Sequence, residues 1–274
     1  MTLIEDAHRI FEQALAEHDP VAVFLLTSGG NDSIVPLHLF RNHPRVTAAA
    51  HIDTGIRVPE VEDHVRASCR HMRLKLLIYR ASEHTQADGT PDPQLFDEIV
   101  KQHGFPGPPQ HRIMYAKLKE RQIRRLVREH KTERGDRVML VTGVRKSESR
   151  RRMGNVEEIQ RYGGQLWVAP ITNWDDDAMT AYRAFYDLPV SDISRKLGMS
   201  GECLCGAYAK PGEFARLEQH YPHVAARIRN LEIESGCPWR WEERPSRKLI
   251  DQSTTSEDEF MPLCTSCNAR GRAA

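Results

Sequence analysis

The residues best suited to binding chemistry form a short polar loop, Ser28-Gly29-Gly30-Asn31-Asp32-Ser33. The loop follows an apolar segment typical of a buried strand, 23–26, and precedes a segment with helical spacing from Ile34. Its glycines let the backbone approach a ligand closely, and its serines add hydroxyl groups at the first turn of the helix. Because unpaired N–H groups and the positive end of the helix dipole converge there, the loop is predicted to bind an anion such as phosphate.

This loop matches neither of two common nucleotide motifs. It lacks the Gly-x-x-x-x-Gly-Lys-Ser/Thr pattern of the P-loop and the Gly-x-Gly-x-x-Gly pattern of dinucleotide-binding proteins. Taken alone, the segment is also compatible with a plain capping turn between two core elements.

A second group of reactive residues lies near the carboxyl end. Five of the 6 cysteines fall after residue 200: Cys203, Cys205, Cys237, Cys264 and Cys267. A reducing compartment favours metal ligands over disulfides, and Cys-x-Cys and Cys-x-x-Cys spacings bring thiolates to one centre. Zinc and an iron–sulfur cluster both suit this ligand set, and scattered free thiols are the plain alternative. The remaining cysteine, Cys69, is interpreted as a helix-packing residue.

Two more polar loops follow buried apolar segments. Asp53-Thr54-Gly55 comes after the strand predicted at 46–52, and Thr142-Gly143-Val144-Arg145 comes after the strand predicted at 138–141. In parallel sheets, ligands bind beyond the carboxyl ends of the strands, where these loops and the first one meet. The arginines that follow Gly143 can fix a phosphate or sulfate through paired hydrogen bonds, although a bare charge run is more often exposed.

Strand and helix patterns alternate along the chain. Helices are predicted from Ile4, from Ile34, after Pro59 and from Ala178, and further strands at 74–79 and 166–171. This alternation predicts an α/β fold, with a twisted parallel sheet, right-handed crossovers and helices on both faces. We expect a nucleotide-binding domain at 1–200 and a cysteine-rich region at 201–274, in a tail otherwise poor in regular patterns.

Three segments allow more than one interpretation. Residues 81–111 are rich in glycine, proline and polar residues, and are predicted to be an insertion or mobile flap. The basic helix that follows, 112–131, presents either an ordinary solvated face or a surface for phosphates or nucleic acid. Asp175, Asp176 and Asp177 are interpreted as helix capping and dipole chemistry instead of a metal site, with Asn173 or Asp175 as the cap.

The composition limits the possible partners. The chain has 274 residues and a net charge of +1, so no global field favours nucleic acid. The first residues lack the basic and apolar regions of a secretion signal, and no apolar run approaches a membrane span of about 20 residues. The sequence therefore predicts a cytoplasmic protein without a membrane partner, and it leaves a homo-oligomer open.

Four motifs in order resemble the phosphoadenosine phosphosulfate (PAPS) reductase family of the N-type ATP pyrophosphatases, whose fold is that of the adenine nucleotide alpha hydrolases. They are Ser28-Gly29-Gly30-Asn31-Asp32-Ser33, His51-Ile52-Asp53-Thr54-Gly55 with Pro59-Glu60, Thr142-Gly143-Val144-Arg145 with Glu148-Ser149, and the segment from Pro170-Ile171 to Leu188-Pro189. The resemblance covers about residues 20–206.

The resemblance implies a nucleotide site. It places the phosphates of ATP, or of PAPS or its analogue APS, on the loop 28–33, and it places Asp53, Thr54 and Gly55 beside the nucleotide. Gly143 would approach the nucleotide closely, and Arg145 would hold the phosphate or sulfate end. The residues with implied catalytic roles are Asp32, Arg145 and Ser149. Mg²⁺ would accompany ATP, because a cation offsets the charge that develops as pyrophosphate leaves.

The chain also departs from the reductases. It lacks their Glu-Cys-Gly-Leu-His segment, and apolar Ile113-Met114 stands where members with a cluster often have a cysteine pair. These departures make it more similar to the reductase-like proteins of DNA phosphorothioation systems, which combine ATP pyrophosphatase activity with a 4Fe–4S cluster. The five carboxyl-terminal cysteines would suit such a cluster, with zinc as the alternative.

Three functions follow as hypotheses. The first is an ATP pyrophosphatase that adenylates an acceptor, DNA or RNA, for sulfur transfer from a donor such as a cysteine desulfurase. The second is a PAPS or APS reductase that releases sulfite. The third is a non-catalytic nucleotide-binding or DNA-binding subunit with a structural zinc.

Overall fold

The computed structural model describes residues 2–83, 95–107, 111–148 and 156–239. Their strands form one six-stranded sheet in the order β3-β2-β1-β4-β6-β5. Every neighbouring pair is parallel except β5 with β6. The strands are β1 Ala22–Leu26, β2 Val46–Asp53, β3 Leu76–Arg80, β4 Val138–Val141, β5 Ile159–Tyr162 and β6 Gln165–Val168.

The described helices connect and cover these strands. None of them has the length and apolar character needed to cross a membrane. They are α1 Leu3–His18, α2 Ile34–Phe40, α3 Glu60–His71, α4 Phe96–His103, α5 His111–Tyr115, α6 Arg121–His130, α7 Asp176–Phe185, α8 Asp192–Leu197, α9 Glu213–His220 and α10 Pro222–Ser235. A π-helical turn, Ala116–Glu120, joins α5 to α6, and short 3₁₀ turns occupy Ala81–Glu83 and Lys146–Glu148.

Both faces of the sheet are buried, as a parallel sheet requires. Val23 and Leu25 of β1 belong to the larger apolar cluster, which includes residues of α1 to α4 and α7 to α10. Phe24 points to the other face, where Leu126 of α6 belongs to a second cluster. The α/β fold with helices on both faces, predicted from the alternating patterns, is therefore confirmed.

Two predicted helix features have a clear outcome. Asp175 caps α7, because its carboxylate accepts a hydrogen bond of 2.8 Å from the N–H of Ala178. Asn173 instead lies beside Lys146 and Glu158. Cys69 is 2% exposed in the core, in agreement with its interpretation as a packing residue.

The interpretation of 81–111 as a flap is wrong for residues 95–107. They contain α4, whose Phe96, Ile99 and Val100 are buried in the larger cluster. The apolar positions of this helix have helical spacing but occupy only two turns, so the surrounding glycines and prolines obscured them. Residues 84–94 and 108–110 lie outside the described residues.

The expectation that the tail is poor in regular patterns is also wrong for residues 201–239. Helices α9 and α10 lie between Cys205 and Cys237. The apolar side of each helix is buried in the larger cluster, through Leu217 of α9 and Ile228 of α10. The sequence analysis also missed β5, which pairs with β6 across the turn Gly163-Gly164, although paired glycines between strands are a known hairpin pattern. The predicted division of the chain near residue 200 stays a prediction.

The exposed face of α6 is rich in ion pairs. Arg124 contacts Glu120 one turn away, and Arg125 lies 2.9 Å from Glu129 and 3.3 Å from Glu83. Such pairs are typical of a solvated amphipathic helix, and they neutralise part of the positive charge. The arrangement favours the solvated face over a surface for nucleic acid.

His38 makes the fold sensitive to acid. Its Nδ1 lies 2.7 Å from the hydroxyl of Tyr182, and burial, with smaller effects of Arg41 and His71, lowers its pKa to about 4. An unfolded histidine has a pKa of about 6.5, so the unfolded chain takes up the proton first as the pH falls. The stability that depends on neutral His38 is therefore complete above pH 6.5 and is lost progressively towards pH 4.

We predict that His38→Gln, which keeps a hydrogen-bond acceptor for Tyr182 but does not titrate, loses less stability in acid than the wild type. Urea unfolding at about pH 7.5 and about pH 5 measures both differences. Buried His51, whose pKa burial also lowers, remains in both proteins. An equal loss in the two proteins would contradict the role of His38.

Candidate active site

A cavity of about 390 Å³ opens at the carboxyl edge of the sheet. This volume falls within the range of small-molecule sites, about 300–1,000 Å³. Its wall combines the strand ends, the loop 28–33, the π-helical turn and the segment 198–213. The residues that line it are Leu26, Thr27, Ser28, Gly30, Asn31, Asp32, Ser33, Ala50, Ile52, His111, Lys119, Thr142, Gly143, Val144, Ser194, Gly198, Met199, Ser200, Glu202, Cys203, Leu204, Cys205, Gly206, Tyr208, Ala209, Lys210, Glu213 and Trp239.

Hydroxyl groups hold the loop 28–33 in shape. The Ser33 hydroxyl donates to the carbonyl of Gly30 at 2.9 Å and accepts from the N–H of Ser28 at 3.3 Å. The N–H groups of Gly29 and Gly30 reach the hydroxyls of Thr27 and Ser28 at 3.2 and 3.4 Å. These N–H contacts are longer than the usual 2.9–3.0 Å, so an anion in the cavity can compete for the donors.

The two glycines of the loop have different surroundings. Gly29 has a φ of +74°, and a Cβ there would lie 3.0 Å from Val61 of α3. Gly30 faces Ser200, and a Cβ added at Gly30 would lie 3.2 Å from the Cβ of Ser200. The loop is therefore pressed between α3 and the segment after α8, and Gly30, but not Gly29, lines the cavity.

Asp32 anchors the loop to two arginines. Its carboxylate lies 2.9 Å from Arg145 and 3.7 Å from Arg183 of α7. Arg145 also lies 2.9 Å from Asp176, donates to the carbonyl of Trp174, and is only 4% exposed. Arg145 therefore stands behind the loop and outside the cavity lining, so its contact with a phosphate or sulfate stays a prediction.

Gly143 was expected to approach a ligand closely. In the structure it lies against the backbone of the protein's own loop, at Asp32 and Ser33. A Cβ at this position would lie 2.8 Å from the carbonyl oxygen of Asp32 and 2.9 Å from the Cα of Ser33. Gly143 also lines the cavity. The end of β4 thus supports the loop that follows β1.

The residues Asp53, Thr54 and Gly55 do not line the cavity. Asp53 lies 3.0 Å from Arg57, and although burial alone raises the pKa of Asp53, Arg57 and the N–H of Gly55 hold it below its usual range. The Thr54 hydroxyl donates to the carbonyl of Glu202 at 3.0 Å, and the carbonyl of Gly55 accepts from Arg227 at 2.8 Å. This loop supports the segment before Cys203, and its contact with a nucleotide stays a prediction.

Two of the five carboxyl-terminal cysteines meet in the cavity. Cys203 is half-buried and Cys205 is buried, and their side chains interact with each other. This interaction, followed by a hydrogen bond from His111, lowers the pKa of Cys205, whereas the same interaction and burial raise the pKa of Cys203. The sulfur of Cys205 is therefore the more acidic of the two.

The other predicted ligands are not placed with this pair. Cys237 lies against Gly104, where a Cβ would approach its sulfur to 2.6 Å, and it does not line the cavity. Cys264, Cys267 and Ser149 lie outside the described residues. Among the residues that are described, no group of three or more His, Cys, Asp or Glu side chains could hold a metal. The predicted five-cysteine centre is therefore not assembled in this part of the chain.

The sequence analysis missed three polar residues of the cavity. Lys119, Glu202 and His111 are all buried, and Lys119 forms an ion pair of 2.9 Å with Glu202. Burial alone lowers the pKa of Lys119, but the Glu202 carboxylate outweighs that effect and raises it. In the sequence, Lys119 differs from the other basic residues of 112–131 only by its place beside apolar Leu118. Because so many of these residues are basic, that difference did not indicate a buried lysine.

The strand order and the loop after β1 define an α/β protein with a ligand-sized cavity at the carboxyl edge of a mostly parallel sheet. The chain belongs to the phosphoadenosine phosphosulfate reductase domain family, whose sequence profile matches residues 22–197. A comparison with curated proteins found no significant match.

Three solved structures are similar to this chain at low sequence identity, and the first of them shares its fold. Phosphoadenylyl-sulfate reductase from Candida auris, in complex with phosphate, is 20% identical, with a TM-score of 0.50 over 69% of this chain and 84% of that chain. NH3-dependent NAD synthetase from Campylobacter jejuni is 14% identical, with a TM-score of 0.46 over 92% and 91%. U34-tRNA thiolase from Methanococcus maripaludis, with its [4Fe-4S] cluster, is 15% identical, with a TM-score of 0.41 over 85% and 79%.

We predict that Gly143→Ala weakens binding of inorganic pyrophosphate by about tenfold or more, because the new methyl group must displace the backbone of Asp32 and Ser33. Isothermal titration calorimetry measures the dissociation constant. Gly135→Ala is the matched control, since a Cβ at Gly135 meets nothing within 4 Å. Equal affinities in the two variants would show that the loop tolerates the methyl group.

Proposed function

We propose that this chain is an ATP pyrophosphatase of the sulfur-transfer type. It binds the phosphates of ATP on the loop 28–33, adenylates an acceptor, releases pyrophosphate and carries out the sulfur step at Cys203 and Cys205. One observation carries the proposal: the loop and the cysteine pair line the same cavity. A nucleotide on the loop would therefore lie beside two sulfur atoms.

The first step uses the loop and the apolar floor. Leu26, Ala50 and Ile52 offer apolar side chains for contact with an adenine ring, and the loop N–H groups offer donors to the phosphates. The acceptor oxygen attacks the α-phosphorus, the bond to the bridging oxygen breaks, and pyrophosphate leaves. Mg²⁺ carried by the phosphates would offset the developing charge, which the carboxylate of Asp32 would otherwise oppose.

The second step uses the cysteine pair. A persulfide donor, such as a cysteine desulfurase, transfers its outer sulfur to Cys205. The terminal sulfur attacks the adenylated centre, AMP leaves, and the acceptor is joined to Cys205 through a disulfide. Cys203 then attacks the Cys205 sulfur, so that the sulfur-bearing acceptor leaves and a Cys203–Cys205 disulfide remains. Two equivalents of an external thiol reduce that disulfide.

The same cavity favours a second function, a PAPS or APS reductase. A thiolate of the pair would attack the sulfur of the sulfonucleotide, releasing the nucleotide phosphate and leaving a cysteine S-sulfonate. The other cysteine would displace sulfite and form a disulfide, which a thioredoxin reduces. Family membership and the shared cavity support this candidate, which needs no acceptor.

A nucleic acid is the acceptor that we propose for the first function, DNA as in phosphorothioation or an RNA base. The resemblance to phosphorothioation proteins supports it. The exposed Arg128 is the residue of α6 that we propose for contact with a phosphate backbone, whereas Arg124 and Arg125 are ion-paired and belong to the solvated face of that helix.

We predict that the chain releases pyrophosphate from Mg-ATP when given the correct acceptor, and that Asp32→Asn lowers the rate by about tenfold or more, because the loop loses its ion pairs with Arg145 and Arg183. Asp6→Asn, at an arginine-paired aspartate on α1, is the control. DNA, transfer RNA, and PAPS or APS with thioredoxin are supplied in parallel. Sulfite without pyrophosphate supports the reductase, and nucleotide binding with neither product supports the non-catalytic subunit.

We predict that Cys203→Ser and Cys205→Ser abolish sulfur transfer but keep pyrophosphate release, because the first step does not use the thiols. Cys69→Ser, at a buried cysteine outside the cavity, is the control. Iron, sulfide and zinc are measured on the same proteins after anaerobic purification. A metal that both cavity variants lose and the control keeps would assign the pair to a metal centre completed by other cysteines, and would overturn the persulfide step.

A further inference from the structure

A buried ion pair joins the two sides of the cavity. Lys119, in the π-helical turn, lies 2.9 Å from the carboxylate of Glu202, and their side chains are only 9% and 5% exposed. Both residues line the cavity, and Glu202 directly precedes Cys203. π-Helical turns inside α-helices are frequent at functional sites, because they shift a side chain out of the regular register.

Hydrogen bonds hold the segment that carries the cysteines to the loop after β2, and Trp239 donates one more to the carbonyl of Leu204 at 2.7 Å. The carbonyl of Gly201 accepts from Val58, the carbonyl of Glu202 accepts from Thr54, and the N–H of Leu204 donates to Ile56, all at 2.8–3.0 Å. These bonds fix the backbone to the loop after β2. The ion pair with Lys119 adds a contact to the π-helical turn that leads into α6.

This pair is not an arrangement that favours stability alone. Burial of two charges removes their hydration, and apolar side chains of similar size often stabilise a fold as much or more. The second carboxylate oxygen of Glu202, Oε1, is buried without a hydrogen-bond partner among the described residues. An unsatisfied buried oxygen destabilises the folded state further. The pair therefore contributes a fixed position of the segment 203–205 and not added stability.

We propose that Glu202 is a positioning residue: its carboxylate, held by Lys119, fixes the segment 203–205 so that both cysteine sulfurs remain in the cavity of the nucleotide loop. This role deepens the proposed function and rests on it. Glu202 does not react with the substrate. It fixes the positions of the two cysteine sulfur atoms that react.

The test measures the alkylation of individual cysteines by iodoacetamide, followed by mass spectrometry of the full chain without nucleotide. Glu202→Gln keeps the size of the side chain but removes the charge. We expect the alkylation rates of Cys203 and Cys205 to rise about tenfold, because the segment opens more often. Cys69, which is 2% exposed in the core, reports global unfolding in the same molecule, and its rate should not change.

Two further variants separate positioning from stability. Lys119→Met should raise the same two rates, because it removes the partner of Glu202. Glu129→Gln, at an arginine-paired glutamate of α6 outside the cavity, should leave all three rates unchanged. If the purified chain carries a metal on these cysteines, its rate of loss to a chelator is measured on the same variants, with the same expected increase.

The outcomes distinguish the two proposals. Unchanged rates at Cys203 and Cys205 in Glu202→Gln, or rates that rise together with that of Cys69, would overturn the positioning role. The affinity of the wild-type chain for Mg-ATP is measured separately by calorimetry, so that the nucleotide site is tested apart from the position of the cysteines. A wild-type chain that binds no ATP would overturn the proposed function and leave the alkylation result to decide the role of Glu202.

Discussion

A glycine-bearing loop cannot hold a ligand unless its own backbone is held, and the ends of two neighbouring strands do this here. The loop after β1 is flexible in isolation because glycine loses more backbone entropy on ordering than other residues. The end of β4 places Gly143 directly beneath Asp32 and Ser33, where no side chain would fit. At the end of β2, His51 binds the carbonyl of Thr27 at 2.8 Å. The cavity therefore exists because parallel pairing brings these strand ends to one edge.

The charges around the loop have a defined order. Arg145 and Arg183 contact the carboxylate of Asp32, so the arginines stand behind the loop instead of inside the cavity. Asp32 is itself 35% exposed in its side chain and lines the cavity. A polyphosphate placed on the loop would thus meet a carboxylate as well as N–H donors. This arrangement favours a ligand that brings its own cation, as Mg-ATP does.

The sequence was sufficient for the features that depend on local pattern. The buried strands, the loop between β1 and α2, and Gly143 as a point of close approach all follow from apolar runs and the residues that end them. Contacts between distant residues were not predictable. The pairing of Lys119 with Glu202 links positions far apart in the chain, and nothing near either residue indicates the other. Thr54 is a similar case, because its neighbours suggested a ligand although its partner is the carbonyl of Glu202.

The part of the cavity that distinguishes this chain lies outside the family profile. The profile ends at residue 197, so it includes the nucleotide loop, Gly143 and Lys119 but neither Glu202 nor the cysteine pair. Family membership therefore includes the half of the cavity that contains the polar loop. The other half depends on residues 198–239, whose helices α9 and α10 bury Leu217 and Ile228 in the main core and whose Trp239 donates to the carbonyl of Leu204 at 2.7 Å. Because this segment holds the two sulfur atoms of the cavity, its contacts fix where those atoms lie relative to the loop 28–33.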